Sequence, residues 1–167
     1  MLRPRIIPCL LVKDKGLVKT TRFSDPKYVG DPINAVRIFN EKEVDEVIVL
    51  DISASARNAE PDYVMIEHLA SECRMPFCYG GGVRTIDQVQ RIIRLGVEKV
   101  AISSAALTDR ALVPKAAAQV GSQSIVVVLD VRKVANDRYE IFTHNGTRST
   151  GLDPLVFAPQ APDRNLS

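Results

Sequence analysis

Few cysteine and histidine side chains occur in this 167-residue sequence, and their spacing gives no sign of a cysteine- or histidine-based metal site. The three cysteines, Cys9, Cys73 and Cys78, are an odd number at no spacing typical of a metal site, and each lies in or beside an apolar run. We therefore expect buried, reduced thiols in a cytoplasmic protein. The only two histidines, His68 and His144, are far apart in the sequence, so we predict no metal site and no cofactor.

Long apolar runs and a large net charge are also absent. No apolar run approaches the length of a membrane span, and the N-terminus has no apolar core typical of a signal peptide. The net charge of +2 gives no reason to expect a polyanionic partner. We therefore expect a protein without a membrane or nucleic-acid partner. The chain is long enough for one domain with a sizeable core.

The most informative stretch is the Tyr-Gly-Gly-Gly-Val sequence at residues 79–83. It follows a short apolar run at 75–78, which predicts a buried strand. It precedes Thr85 and Gln88, whose spacing predicts a helix start with a capping box. Three glycines let backbone N–H groups approach a ligand closely, and the helix presents its positive end to the same place, which favours phosphate binding. The alternative is a tight turn that requires positive φ.

Strands and helices alternate along the chain in the order βαβαβαβαβ. We predict strands at 5–12, 46–51, 75–78, 99–102 and 124–130, and helices at about 31–39, 61–73, 85–96 and 109–120. Residues 139–143 and 148–150 form a predicted hairpin around Asn145-Gly146. This order predicts an α/β fold, a (βα)-repeat of the TIM-barrel type that is incomplete, since such a barrel needs eight strands. We assign 1–151 to this partial barrel and 152–167, with its three prolines, to an irregular tail.

The connection at 13–30 is polar, basic and much longer than is usual between a strand and a helix. Two interpretations stay open: a solvated loop, or a mobile basic flap over an anionic ligand.

Polar residues gather directly after the predicted strands. Asp51, the three glycines, Ser103 and Asp130 all hold such positions. In parallel α/β proteins the carboxyl ends of the strands form the ligand-binding edge, so we expect these residues to meet there.

Several segments, in order, resemble the HisF family, the cyclase subunit of imidazole glycerol phosphate synthase. The similarity runs from residue 1 to about 151. It implies a TIM barrel, a HisH-type glutaminase partner that supplies ammonia, and a phosphorylated small-molecule ligand. The matching segments are 5–10 (Arg-Ile-Ile-Pro-Cys-Leu), 19, 30–32, 50–51, 80–82, 96–100 and 121–123.

The resemblance assigns roles to individual residues. Asp130 matches the second of the family's two catalytic aspartates, whereas the first falls on Leu11, which cannot transfer a proton. Residues matching the phosphate and substrate sites, including a lid lysine, are Lys19, Asp51, Gly81, Gly82, Ser103 and Ser104.

The resemblance also implies a charged ammonia gate at the other end of the strands. Arg5, Glu46 and Lys99 match most of it, and the alternative for these residues is ordinary ion pairing at strand ends.

Three functions remain open. The first is the cyclase. The second, indicated by Leu11, is the WbuZ-type branch of HisF-like proteins, which conduct ammonia to a separate sugar amidotransferase in surface-polysaccharide synthesis. The third is an inactive truncated fragment, since a barrel ending after its fifth strand would leave open edges at strands one and five that invite pairing with other chains.

Overall fold

The computed structural model describes residues 3–135 and 137–158. The described strands are β1 (Cys9–Lys13), β2 (Gly16–Thr21), β3 (Ser24–Gly30), β4 (Val47–Asp51), β5 (Phe77–Gly80), β6 (Lys99–Ile102), β7 (Ile125–Val127), β8 (Asp130–Ala135), β9 (Arg138–Thr143) and β10 (Arg148–Ser149). The described helices are α1 (Pro32–Glu41), α2 (Ile52–Ala56), α3 (Tyr63–Glu72), α4 (Ile86–Arg94), α5 (Ser104–Thr108), α6 (Leu112–Val120) and α7 (Pro154–Phe157).

The main sheet has the strand order β3-β2-β1-β4-β5-β6-β7. The five strands from β1 to β7 that alternate with helices are parallel to one another, while β2 and β3 are added antiparallel beside β1. A second sheet has the order β10-β9-β8. The predicted α/β fold, an incomplete (βα)-repeat of the TIM-barrel type, is confirmed.

Successive side chains along the parallel strands point to opposite faces of the main sheet. Val12, Val49, Tyr79 and Ile102 are fully buried and pack with the helices in one core cluster. Their immediate neighbours, such as Leu11 and Leu50, point to the opposite face because successive side chains of a strand alternate. The helices therefore cover one face, and the other face is free to line cavities.

Helix starts follow the predicted capping chemistry. The Asp31 carboxylate accepts hydrogen bonds from the backbone N–H groups of Ile33 and Asn34 at 2.9 and 3.0 Å, with Pro32 in the first turn of α1. The capping box between Thr85 and Gln88 is present at the start of α4. Local sequence thus determines where these helices begin.

The connection at 13–30 is not a loop, which corrects the predicted solvated loop, whereas the alternative of a mobile basic flap stays a prediction. It is the antiparallel hairpin β2–β3, entered through a tight turn in which Asp14 and Lys15 have φ of 51° and 65°. A left-handed backbone conformation at both turn positions matches the right-handed twist of the two strands that the turn connects. Since β2 pairs with β1, the expected open edge at the first strand is wrong as well.

Several element boundaries differ from the prediction. β1 begins at Cys9 rather than residue 5, and the predicted fifth strand divides into β7 and the start of β8, which belongs to the other sheet. The short helices α2 and α5, which follow β4 and β6, were not predicted. The hairpin around Asn145-Gly146 is confirmed as β9–β10.

The segment expected to form an irregular tail begins with a helical turn. Asp153 caps α7, and Phe157 is buried. Residues 159–167, which complete that segment, lie outside the described residues.

The cysteines are unpaired, but their burial differs from the expectation. Cys78 is buried and Cys73 half-buried, whereas Cys9, the first residue of β1, is exposed. Burial raises the pKa of the Cys73 thiol to about 11 and that of Cys78 to about 12, so both thiols stay protonated at neutral pH.

Among the described residues, no helix is both long and apolar enough to cross a membrane.

The helix-covered core predicts a position-dependent cost of truncating isoleucine. Ile92 on α4 is fully buried, so Ile92→Ala should lower the free energy of unfolding by about 2–5 kcal/mol through lost apolar burial and a cavity. The control Ile38→Ala removes the same atoms from α1, where Ile38 is 54% exposed, and should change stability by about 0.5 kcal/mol or less. Urea unfolding followed by far-ultraviolet circular dichroism measures both, and equal losses would contradict the described core.

Candidate functional site

A cavity of about 310 Å³ lies at the carboxyl ends of the parallel strands. We call it the glycine chamber. Six of the residues predicted from the sequence line it together: Asp51, Gly81, Gly82, Ser103, Ser104 and Asp130. The expected meeting of these residues at one edge is therefore observed.

The glycine loop is required by close backbone packing. Gly81 has φ of +127°, and a Cβ there would lie 2.5 Å from the carbonyl oxygen of Asp51. Gly82 has φ of +71°, and its Cβ would lie 2.7 Å from the carbonyl oxygen of Ala59. Positive φ and the lack of room both select glycine. The tight-turn interpretation is thus supported, and it is compatible with a ligand at the same loop.

Donors at the start of α4 are largely occupied within the protein. The Gln88 side-chain oxygen accepts from the backbone N–H groups of Arg84 and Thr85 at 2.7 and 3.2 Å, and the Gln88 N–H donates to Thr85 Oγ1 at 3.2 Å. The expected contribution of this helix end to anion binding is reduced accordingly. The lining of the glycine chamber also includes the cationic side chain of Arg84. Its guanidinium donates to the carbonyl oxygens of Asn58 and Ala59, both at 3.1 Å.

A second cavity, of about 580 Å³, lies under the β2–β3 hairpin. We call it the hairpin chamber. Leu11 and Asp130 both line it, together with the cationic residues Lys13, Arg22 and Arg57. It shares Leu50, Ile52, Asp130 and Asn145 with the glycine chamber, so the two chambers meet at Asp130.

Two predicted residues have contrasting positions. Leu11 places an apolar side chain in the same cavity as Asp130, where the family pattern has its other carboxylate. Lys19, by contrast, lies on β2 opposite Lys27, is exposed, and lines neither chamber. The structure therefore brings Leu11 to the site and leaves Lys19 on the outer strand.

Asp130 is half-buried at the start of β8. Burial raises the pKa of its carboxyl group, and a backbone hydrogen bond from Gly146 opposes part of that shift. A carboxyl group with a raised pKa is closer to exchanging protons at neutral pH, as general acid–base chemistry requires.

The turn between β9 and β10 closes the site, and sequence reasoning missed this role. His144 and Asn145 line the glycine chamber with φ of 52° and 57°. The Asn145 amide donates to the carbonyl oxygen of Ile52, and the Phe23 ring lies so close to Gly146 that a Cβ there would be 2.8 Å from Cγ. The available signal was the Asn-Gly dipeptide, which predicted the turn but not its contact with the sheet edge.

The three residues assigned to a gate also meet. One carboxylate oxygen of Glu46 accepts from Arg5 Nη2 at 2.8 Å and from Lys99 Nζ at 2.7 Å. Glu46 is only 3% exposed. The cluster lies at the starts of β4 and β6, opposite the chambers, and its geometry fits both a gate and a strand-end ion pair.

No metal centre is found in the described part of the chain: nowhere do three histidine, cysteine or acidic side chains stand close enough to bind an ion.

Comparison with known proteins identifies similar sequences. The family model for histidine biosynthesis proteins matches residues 5–167. The imidazole glycerol phosphate synthase subunit HisF of Streptococcus mutans is 39% identical over 161 residues, which cover 96% of this chain and 64% of that protein. A protein of Vibrio vulnificus that is provisionally named as a subunit of the same synthase is 55% identical, over 96% of this chain and 62% of the relative. Another, from Leptospira borgpetersenii, is 57% identical over 93% of this chain and 63% of the relative.

The parallel sheet, with its cavities at the carboxyl ends of the strands, defines a (βα)-repeat protein of the TIM-barrel type. The chain belongs to the HisF family of histidine biosynthesis proteins. It spans 61–64% of the length of the curated relatives it matches.

The glycine loop predicts a difference between two glycines with nearly the same φ. Gly82→Ala should lower the free energy of unfolding by more than about 2 kcal/mol, because left-handed strain adds to the clash with Ala59. Gly151 has φ of +70° with nothing within 4 Å of its Cβ position, so Gly151→Ala should show the strain alone, about 1–2 kcal/mol. Equal costs by urea unfolding would show that the close approach at Gly82 is absent.

The Glu46 cluster predicts a large effect of neutralising one buried carboxylate. Glu46→Gln should destabilise the fold by about 2 kcal/mol, since it removes charged hydrogen bonds to Arg5 and Lys99 at a buried position. The exposed pair between Arg37 and Glu72 offers a control, and Glu72→Gln should have a clearly smaller effect because water screens that pair. Thermal unfolding at low and high salt separates the two cases, and a similar loss of stability in both variants would contradict the prediction.

Proposed function

We propose that this chain acts as a HisF-type subunit of imidazole glycerol phosphate synthase, which receives ammonia from a HisH-type glutaminase and uses it on a phosphorylated substrate. The observation that carries the proposal is the meeting of the two chambers at Asp130. One ligand can thus extend from the glycine loop to a half-buried carboxyl group. Such a subunit works in the cytoplasm, where the unpaired thiols would stay reduced.

The glycine chamber would hold the phosphate. Ser103 and Ser104 supply hydroxyl groups, and Gly81 and Gly82 keep side chains out of the loop. Asp51 is engaged by the start of α2, where it accepts from the Ser53 N–H and hydroxyl at 2.8 and 2.6 Å, so its role is to shape this wall. Lys19, on the hairpin that borders the neighbouring chamber, would reach a ligand only if the hairpin shifts.

Asp130 would transfer protons to or from the substrate. Its raised pKa suits that role, and its place between the two chambers lets it act on the middle of an elongated ligand.

Ammonia would enter at the Glu46 cluster and travel along the sheet face opposite the helices. Between that cluster and Asp130, this face presents uncharged side chains such as Ile48, Cys78 and Ala101. Neutral ammonia passes such a lining more easily than ammonium does, because a charge would lose its hydration there.

A second function is favoured by Leu11. Loss of one general acid or base costs roughly 10²–10⁴-fold in rate, and the hairpin chamber holds an apolar side chain at the corresponding place. We therefore keep the alternative that the chain conducts ammonia without cyclising a substrate and serves a sugar amidotransferase, as in the WbuZ-type branch. This chain would then stimulate the glutaminase but form no imidazole.

Replacing Leu11 distinguishes the two functions. If the chain is a cyclase subunit, the unmodified chain should form imidazole product slowly from the bisphosphorylated ribonucleotide with ammonium chloride supplied, whereas an ammonia conduit should form none. If the site descends from a working cyclase, Leu11→Asp should raise product formation by at least about 10²-fold, since it restores the missing proton-transfer group. Leu155→Asp, at a position that is 82% exposed, controls for an added charge.

Stimulation of a HisH-type glutaminase is measured in parallel. Stimulation without imidazole formation in either variant would favour the ammonia conduit. A chain that neither stimulates the glutaminase nor forms imidazole would contradict both functions, and the inactive fragment would be the interpretation that is left.

A further inference from the structure

We propose that the His144 side chain is an anion-binding group of the glycine chamber and that its protonation makes dianion binding there stronger. This inference rests on the proposed phosphate-binding role of the chamber and adds a residue and a pH dependence to it. The ligand class is a phosphate monoester or an equivalent oxyanion.

The position of His144 supports the proposal. His144 is half-buried in the turn after β9 and lines the glycine chamber together with Ser103 and Ser104. Its backbone N–H donates to Ser104 Oγ at 3.4 Å, which joins the turn to the polar wall of the chamber. His144 does not line the hairpin chamber, so it belongs to the end of the site where the phosphate would lie.

The ring is held from one side only. Nδ1 of His144 lies 3.1 Å from Thr143 Oγ1, and Nε2 has no hydrogen-bond partner within residues 3–135 and 137–158. An imidazole fixed at one nitrogen can present the other to a ligand. The turn itself is held by the Thr147 N–H, which donates to the Thr143 carbonyl oxygen at 3.1 Å.

The charges around the chamber explain why protonation would matter. The other charged side chains in its lining are Asp51, Arg84, Asp109 and Asp130, three carboxyl groups against one guanidinium. Outside the lining, Arg132 on β8 donates to the Gly146 carbonyl oxygen of the same turn at 2.9 Å. A dianion entering this lining meets more negative than positive charge while the imidazole is neutral. Protonation of His144 adds a cation with a charged donor, which should strengthen dianion binding roughly tenfold.

Two of the carboxylates are already committed to helix starts. Asp51 accepts from the Ser53 and Ala54 N–H groups, and Asp109 accepts from the Ala111 N–H at 2.9 Å. Asp130 remains as a second group whose titration could alter anion binding. The experiment must therefore separate His144 from Asp130.

Sulfate is the appropriate probe, because it stays a dianion from pH 5.5 to 8.0 and any pH dependence then belongs to the protein. Titration calorimetry of the full chain should show sulfate binding roughly tenfold tighter at pH 5.5 than at 8.0. His144→Asn should flatten this dependence to within about twofold, and asparagine suits the left-handed φ at this position. His68→Asn, at an exposed position on α3, is the matched control and should behave as the unmodified chain does. In Asp130→Asn the His144-dependent change should persist.

A second readout needs no variant. Because the chain has only two histidines, each imidazole gives one resolved C2 proton resonance. Saturating sulfate should shift the C2 proton resonance of His144 and leave that of His68 in place.

The outcomes separate this inference from the proposed function. If sulfate binds and His144→Asn keeps the full pH dependence, or if sulfate leaves the His144 C2 proton resonance unmoved, this inference is wrong and the phosphate role of the chamber stands. If neither sulfate nor inorganic phosphate binds at any pH, the phosphate role fails and this inference fails with it.

Discussion

The parallel hydrogen-bonded ladder from β1 through β4, β5 and β6 to β7 is the constraint on which the site depends. It places the carboxyl ends of all five strands at one edge, so Asp51, Gly81 and Ser103 meet although they are far apart in sequence. Alternation along the same strands sends Val12, Val49 and Ile102 into the helix-covered core. The opposite face is thereby left to line the chambers. The same ladder of strands therefore both stabilises the fold and positions the candidate site.

The two ends of that sheet face differ in chemistry. A buried carboxylate, Glu46, holds Arg5 and Lys99 at the amino end, where the charges compensate one another. Asp130 at the carboxyl end has a raised pKa because the effect of burial exceeds that of the backbone hydrogen bond from Gly146. The first arrangement suits a fixed entrance and the second suits proton exchange. This difference is the physical reason for proposing transport from one end to chemistry at the other.

Local rules were sufficient for much of the fold. The Asp31-Pro32 cap, the Thr85–Gln88 capping box and the Asn145-Gly146 hairpin each depend on residues a few positions apart, and each was predicted. The β2–β3 hairpin was missed because charged and polar residues dominate the segment at 13–30 and obscure the short apolar stretch Leu17-Val18, although β2 joins β1 through a two-residue turn. Asp130 was predicted as a strand end. The structure makes it the first residue of a strand in the other sheet.

The amino-acid sequence by itself determined the alternation of strands and helices, the glycines that the turn after β5 requires, and the apolar side chain of Leu11 in the first strand. These features follow from side-chain chemistry and short-range geometry. Only the tertiary structure decided that Leu11 shares the hairpin chamber with Asp130, that Lys19 lines neither chamber, and that the turn carrying His144 closes the glycine chamber. Such facts depend on which strands pair and on how the second sheet packs against the first, and packing between distant segments is not encoded in any one stretch of the chain.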